Sequence, residues 1–121
     1  MLTKIFTVDY DLRQPGRDYS ELFRGIFRLD AYACHVLDSS WLIESSLTAT
    51  EIAAYLSLFV DSNDALRVGE IGPDCASYGL SDVAVNWLIA RRPNVVRISH
   101  ADWAQIASQA STRLAVMSLI A

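Results

Sequence analysis

Apolar and polar side chains alternate at the start of the chain, over residues 5–12. The apolar members of this alternation are Phe6, Val8, Tyr10 and Leu12. A period of two predicts a β-strand, because successive side chains of a strand point to opposite faces. The other face of this strand ends in two carboxylates, Asp9 and Asp11. Residues at the point where a strand gives way to a loop often carry function, so these two acids are the first candidates for a site.

Helix and strand periods follow one another along the next sixty residues. The predicted elements are a helix over 18–29, two strands over 32–37 and 41–45, a helix over 49–59 and a strand over 65–71. Each helix is expected to begin with a capping box, formed by Asp18 with Glu21 and by Thr48 with Glu51. The two middle strands are joined by a tight turn over 38–40.

This order, β-α-β-β-α-β, predicts an α+β fold. Each βαβ half requires a right-handed crossover, and two such halves give the ferredoxin-like fold. In that fold a four-stranded antiparallel sheet carries both helices on one face. The other face of the sheet is left bare, so we expect a second copy, the chain's own tail or a ligand to cover it.

The tail is longer than this fold requires. An irregular connection over 72–80 leads to a helix that Ser81 caps and Pro93 ends. Residues 94–99 form a short strand, the fifth of the chain, or a loop. A last helix, capped by Ser99, then follows. Its apolar stripe consists of Trp103, Ile106, Ala107, Ala110, Leu114 and Met117.

On this basis the chain divides into a ferredoxin-like domain, 1–93, and a C-terminal extension, 94–121. Of the 121 residues, 52% are hydrophobic, which is slightly more apolar material than one small core takes up. A lone terminal helix of ~20 residues is also marginal in water without packing. We therefore expect a homodimer, in which the extension packs on its own domain or on that of its mate.

Composition and charge narrow the class of protein. No apolar run approaches the ~20 residues needed to cross a bilayer, and no basic leader precedes an apolar segment, so we expect a cytoplasmic protein. Cys34 and Cys75 are isolated, which is typical of reduced thiols. The net charge of −4 argues against a broad, non-specific nucleic-acid binder, although a local basic patch remains compatible with it.

Two interpretations fit the acidic pair. Asp9 and Asp11, or two copies of Asp11 across a two-fold axis, supply the oxygen ligands that Mg²⁺ or Mn²⁺ requires, and such a metal polarises a phosphate and activates water. Alternatively, either acid pairs with Arg13, Arg17 or Lys4, or accepts backbone N–H groups in an Asx turn. The residues alone leave both interpretations open.

The other chemistry-bearing side chains favour structural roles. His35 and His100 are far apart and lack the spacing of metal ligands. Cys34 and His35 are neighbours in a predicted strand and therefore point to opposite faces, which favours packing roles for both over a nucleophile and its base. Glu70 is either a third acid near the first strand or a plain strand-end residue.

Six short motifs follow one another along the chain in an order and spacing that a known family shares. They are Tyr10-Asp11-Leu12, Pro15-Gly16-Arg17-Asp18-Tyr19, Leu37-Asp38-Ser39-Ser40-Trp41-Leu42, Asp61-Ser62-Asn63-Asp64, Glu70-Ile71 and Tyr78-Gly79-Leu80. With them the chain resembles the small ferredoxin-like proteins grouped with the CRISPR-associated adaptation endonuclease, the second Cas protein. Within that group it is most similar to a SinR-like branch. Residues 3–90 carry the resemblance.

The resemblance implies a homodimer in which Asp11 of each protomer faces its mate and holds a divalent cation. It implies Asp11 as a catalytic and metal-binding residue and Arg17 as a nucleic-acid contact. From the residues themselves we add Asp9 as a second catalytic and metal-binding candidate and Arg13 as a second nucleic-acid contact. Some members of the group are credited with metal-dependent phosphodiester cleavage, and others only hold DNA beside a partner. Two hypotheses follow: a metal-dependent nuclease-like homodimer, or a non-catalytic interaction module such as an antitoxin-like or assembly protein.

Overall fold

A four-stranded antiparallel sheet organises the first part of the chain. The structure is a computed structural model that describes residues 2–13, 15–16, 18–92, 95 and 97–120. The elements of this part are β1 (Lys4–Asp11), α1 (Ser20–Leu29), β2 (Cys34–Leu37), β3 (Ser40–Ser45), α2 (Ala49–Ser57) and β4 (Ala65–Glu70). The strand order is β2-β3-β1-β4, with antiparallel neighbours throughout. This is the ferredoxin-like topology, so the predicted fold is confirmed.

The main core lies between the sheet and the two helices α1 and α2. Val8 of β1 is paired with Trp41 of β3 on one side and with Val68 of β4 on the other. The largest fully buried side chains are Val8, Leu22, Ile26, Ile43, Ile52 and Leu56. The apolar face predicted for the first strand is therefore the one that the helices cover.

Side chains on the opposite face of the sheet are also buried. Those that point to this face with less than a tenth of their surface exposed include Ile5, Cys34 and Leu42. Helix α3 (Asp82–Arg91) buries Ala84 and Trp87, neither of which belongs to the core under α1 and α2. The indole Nε1 of Trp87 donates to the carbonyl oxygen of Tyr32, just before β2, at 2.6 Å. We therefore assign the first part of α3, up to Trp87, to the opposite face, where the chain's own continuation supplies cover.

The last helix belongs to a second compact unit, 88–121. Helix α4 (His100–Ile120) begins with the predicted cap, since the hydroxyl of Ser99 accepts the N–H of Asp102 at 3.1 Å. None of the 21 residues of α4 is buried. No helix among the described residues is long and apolar enough to cross a membrane.

The helix starts confirm one predicted capping box and correct the other. At α2, the Thr48 hydroxyl accepts the N–H of Glu51 at 3.1 Å, and the Glu51 carboxylate accepts the N–H of Thr48 at 3.0 Å. At α1 the predicted box was wrong. The carboxylate of Asp18 accepts the N–H of Ser20 at 2.9 Å and lies outside the helix, so the helix starts two residues later than predicted. That bond also lowers the pKa of Asp18.

The segment before α4 does not show the fifth strand that was one of its two predicted forms. Val95 and residues 97–99 are in no strand. Helix α3 ends at Arg91. Pro93, Asn94 and Val96, to which parts of the prediction refer, lie outside the described residues.

Candidate functional site

Asp9 lies on the sheet face opposite α1 and α2, and both oxygens of its carboxylate are engaged. Because β1 is a central strand, Asp9 has Ser40 directly across on β3 and Arg67 directly across on β4. The Ser40 hydroxyl donates to Oδ1. Arg67 donates to Oδ2 from Nη2 at 3.1 Å and from Nε at 3.3 Å. The negative charge of Asp9 is therefore balanced by a guanidinium of the same chain.

Asp11, two residues further along the same face, also pairs with an arginine. Its Oδ2 accepts Nε of Arg13 at 3.0 Å. Both side chains are exposed, at 67% for Asp11 and 55% for Arg13, so the pair is a surface interaction of ~0–1 kcal/mol. This is the ion-pair arrangement offered above as the alternative to a metal site.

Arg13 has further partners within the chain. Its main-chain N–H donates to Oδ1 of Asp64 at 2.7 Å, and Nη1 donates to the carbonyl oxygen of Asn63 at 3.3 Å. The side chain predicted to contact nucleic acid thus holds the end of β1 against the loop that precedes β4. Arg17, the other predicted contact, lies outside the described residues.

Asp64 is the centre of this loop. Its Oδ1 accepts the N–H of Arg13 and the hydroxyl of Tyr19, the latter at 3.1 Å, and its Oδ2 accepts the N–H of Asp61 at 2.8 Å. One carboxylate therefore ties together the end of β1, the entrance to α1 and the loop before β4. Sequence reasoning quoted Asp64 only as part of a motif and gave it no role, although Asp-rich turns are known to use carboxylates in this way.

The acids of the sheet do not converge. Glu70 is paired across β1 with Phe6 on the helix-covered face, and it forms an ion pair with Lys4 at 3.2 Å, so it does not join Asp9. Across the part of the chain that the structure describes, no three His, Cys, Asp or Glu side chains are grouped to hold a metal. A Mg²⁺ or Mn²⁺ site at Asp9 and Asp11 stays a prediction.

His35 belongs to an aromatic cluster around Trp41. The two rings are stacked, with centroids 4.4 Å apart and planes 6° from parallel. Nε2 of His35 lies 3.1 Å from the carbonyl oxygen of Asp38. Cys34 is paired with Leu42 and His35 with Trp41, which confirms that these two neighbouring side chains point to opposite faces of the sheet.

Tyr10 extends the same cluster towards the end of β1. Its phenol oxygen accepts the indole N–H of Trp41 at 3.2 Å. Burial raises the pKa of the Tyr10 phenol, and the bond from Trp41 opposes part of that rise. The cluster therefore stabilises this end of the sheet.

Helix α4 presents a surface of a different kind. Its exposed large apolar side chains are Ile106, Leu114, Val116, Met117, Leu119 and Ile120. A groove of about 470 Å³ runs along its first half, lined by Arg97, Ile98, Asp102, Gln105, Ile106 and Gln109. Within the second unit, the exposed apolar surface and the groove therefore lie on one helix.

Neither comparison with known proteins identifies a relative. No protein-family model matches the chain. No solved structure matches it. The resemblance to the adaptation endonuclease group stays a prediction, and the features that bear on function are the ion-paired acids of β1 and the exposed surface of α4.

Proposed function

We propose that this chain is a non-catalytic interaction module that forms a homodimer through α4. The exposure of α4 carries the proposal: 12 of its 21 residues are apolar, and none of them is buried. A helix of this length gains little stability on its own in water, and most helical stability in proteins comes from packing. A second chain that covers this helix removes its apolar side chains from water. That burial is favourable by ~25 cal/mol for each Å² of apolar surface covered.

The arrangement of the acids supports a non-catalytic role. A metal-dependent nuclease would need the carboxylates of Asp9 and Asp11 to coordinate a cation, whereas each of them accepts hydrogen bonds from an arginine. The guanidinium of Arg13 would need to reach a phosphate, yet its Nε donates to Asp11 and its Nη1 donates to the carbonyl oxygen of Asn63. These contacts stabilise the loops of the fold without any ligand.

Self-association covers the exposed helix without any partner other than a second copy of the chain. Every copy presents the same exposed helix, so two copies related by a two-fold axis cover each other's apolar surface at once. Small soluble oligomers most commonly adopt this two-fold arrangement.

Light scattering coupled to size exclusion, over a series of protein concentrations, tests the proposal. We expect the mass of a dimer for the native chain and for the control variant Leu58→Glu with Val83→Glu, both of which are exposed outside α4. We expect a monomer for Leu114→Glu with Val116→Glu, which places the same charges on two sides of α4. A native chain that stays monomeric at every concentration, or an α4 variant that stays dimeric, would refute the proposal.

A further inference from the structure

Two isolated charges mark one face of α4. Asp102 and Arg113 are the only Asp, Glu, Lys or Arg residues of the helix. They are 11 positions apart, which is about three turns, so both side chains lie on the same side of the helix. Among the described residues, neither side-chain charge has an ion-pair partner.

The surface around these charges has two unlike halves. It is defined here as the Asp102 face, which comprises Asp102, Ile106, Gln109, Arg113, Val116 and Ile120. Its first half borders the groove that Ile98 and Gln105 also line. Its second half carries Arg113 and then exposed apolar side chains, among them Val116 and Ile120. The first half is thus concave and contributes one acid, Asp102, to a groove that Arg97 also lines, and the second half is apolar with one base, Arg113.

These halves are complementary to each other in an antiparallel pair. We propose that two copies of α4 pack through their Asp102 faces about a two-fold axis at the level of Ala107 and Ser108. This inference rests on the proposed function, because it names the surface through which the homodimer forms. Asp102 then lies beside the partner's Arg113, and the same contact recurs on the other side of the axis.

The register of this pair follows from the positions of the charges. If residues 102 and 113 face each other, every pair of facing residues has numbers that sum to about 215. Ile106 then lies beside the partner's Gln109. Val116 lies beside the partner's Ser99, next to Ile98 at the end of the groove. The end of the groove of one copy therefore lies against Val116 of the other.

The charges also select the direction of the pair. In a parallel two-fold pair, Asp102 would face the partner's Asp102, and Arg113 would face the partner's Arg113. Like charges at close range are unfavourable, whereas the antiparallel pair brings opposite charges together twice. Antiparallel packing also places the positive end of one helix dipole near the negative end of the other.

Charge reversal tests both the surface and the direction. Asp102→Arg and Arg113→Asp each turn two attractive contacts into two repulsive ones, so we expect the dimer dissociation constant to rise by about tenfold or more in either variant. The double variant restores both contacts with their signs exchanged, and we expect its dissociation constant to return close to the native value. Sedimentation equilibrium measures all four proteins, and far-UV circular dichroism checks that α4 stays helical.

The outcomes separate this inference from the function on which it rests. A native dimer whose dissociation constant is unaffected by either single reversal would overturn the Asp102 face and leave the homodimer standing. Single reversals that weaken the dimer without recovery in the double variant would overturn the antiparallel contact. A native chain that is monomeric throughout would overturn the homodimer and this inference together.

Discussion

Replacing Asp64 with Asn removes the carboxylate that joins three segments of the fold. The native carboxylate accepts the N–H of Arg13 at 2.7 Å, the N–H of Asp61 at 2.8 Å and the hydroxyl of Tyr19 at 3.1 Å. An Asn side chain of the same shape keeps one oxygen but presents an NH₂ group where the second oxygen was. One of the two backbone N–H groups then faces another donor instead of an acceptor.

The expected cost is large for a single surface loop. A hydrogen bond to a charged group contributes about 1.5–3 kcal/mol, and a neutral one about 0.5–1.5 kcal/mol. The substitution abolishes one charged bond and reduces the others to neutral ones, while water compensates part of the loss in this exposed loop. We therefore expect Asp64→Asn to lower the free energy of unfolding by about 2–3 kcal/mol, which corresponds to a fall in Tm on the order of 10–20 °C for a domain of this size.

Urea denaturation followed by circular dichroism measures this loss, provided that the m-value is unchanged. The matched control is Asp38→Asn, in the exposed turn before β3, because the side chain of Asp38 accepts no hydrogen bond from the described residues. We expect the control to change the free energy of unfolding by less than about 0.5 kcal/mol. Equal midpoints for the two variants would refute the role given to Asp64.

Three further predictions concern α2, the contact between α1 and α2, and the acidic pair. The hydrogen bond from the N–H of Thr48 lowers the pKa of Glu51 below its ordinary value of 4.5. The ionised Glu51 side chain therefore stabilises the fold above pH 4.5, and this stabilisation is lost as the pH falls below that value. The urea midpoint of Glu51→Gln should therefore fall less than the native midpoint on acidification. A Cβ on Gly25 would lie 2.8 Å from the Phe59 ring. We expect the cost of overpacking, ~1–3 kcal/mol, to outweigh the gain in helix propensity, ~1 kcal/mol. Gly25→Ala should therefore unfold at a lower urea concentration than the native chain. Added Mg²⁺ or Mn²⁺ should leave the Tm unchanged, and a rise that Asp11→Asn abolishes would instead establish the metal site.

The topology was predictable because each element carries its own periodic signal. The first strand alternates every second residue, and the helices repeat every three to four, so the order β-α-β-β-α-β follows without knowledge of any long-range contact. Caps formed by near neighbours were mostly predictable for the same reason, as at Thr48 and Ser99. The box at Asp18 failed because a bond to Ser20 competes with it over an equally short distance.

Of the two arginines that pair with the acids of β1, the sequence indicated only the partner of Asp11. Arg13 is two residues from Asp11, and sequence reasoning named it among the alternatives. Arg67 is far from Asp9 along the chain, and the two meet only because β1 and β4 pair in a register that puts them directly opposite. Such a register depends on the packing of the whole sheet, which the local pattern around Arg67 does not encode.

The position of the helix that covers the second face of the sheet was also only partly predictable from the sequence. The pattern around Val85 predicts a helix, and the structure has α3 there. What places this helix is the bond from the Trp87 indole to the carbonyl oxygen of Tyr32, between residues 55 positions apart. An indole donor needs a partner when it is buried, but the sequence does not indicate which of many carbonyl groups supplies it.

Charged side chains have different roles in the two parts of this chain. In the ferredoxin-like part of the chain, Asp9, Asp11 and Asp64 each accept hydrogen bonds from nearby groups of the same chain, so their charges stabilise β1 and the loops beside it. In α4 the charges of Asp102 and Arg113 are spaced to match a second helix, and they stand among apolar side chains. Apolar burial supplies most of the affinity of an interface, whereas opposite charges steer orientation and disfavour wrong pairings. A helix with abundant apolar surface and only two charges therefore binds in whichever direction those charges permit. Reversing both charges together preserves that direction, which is why the double variant distinguishes a specific pair from general stickiness.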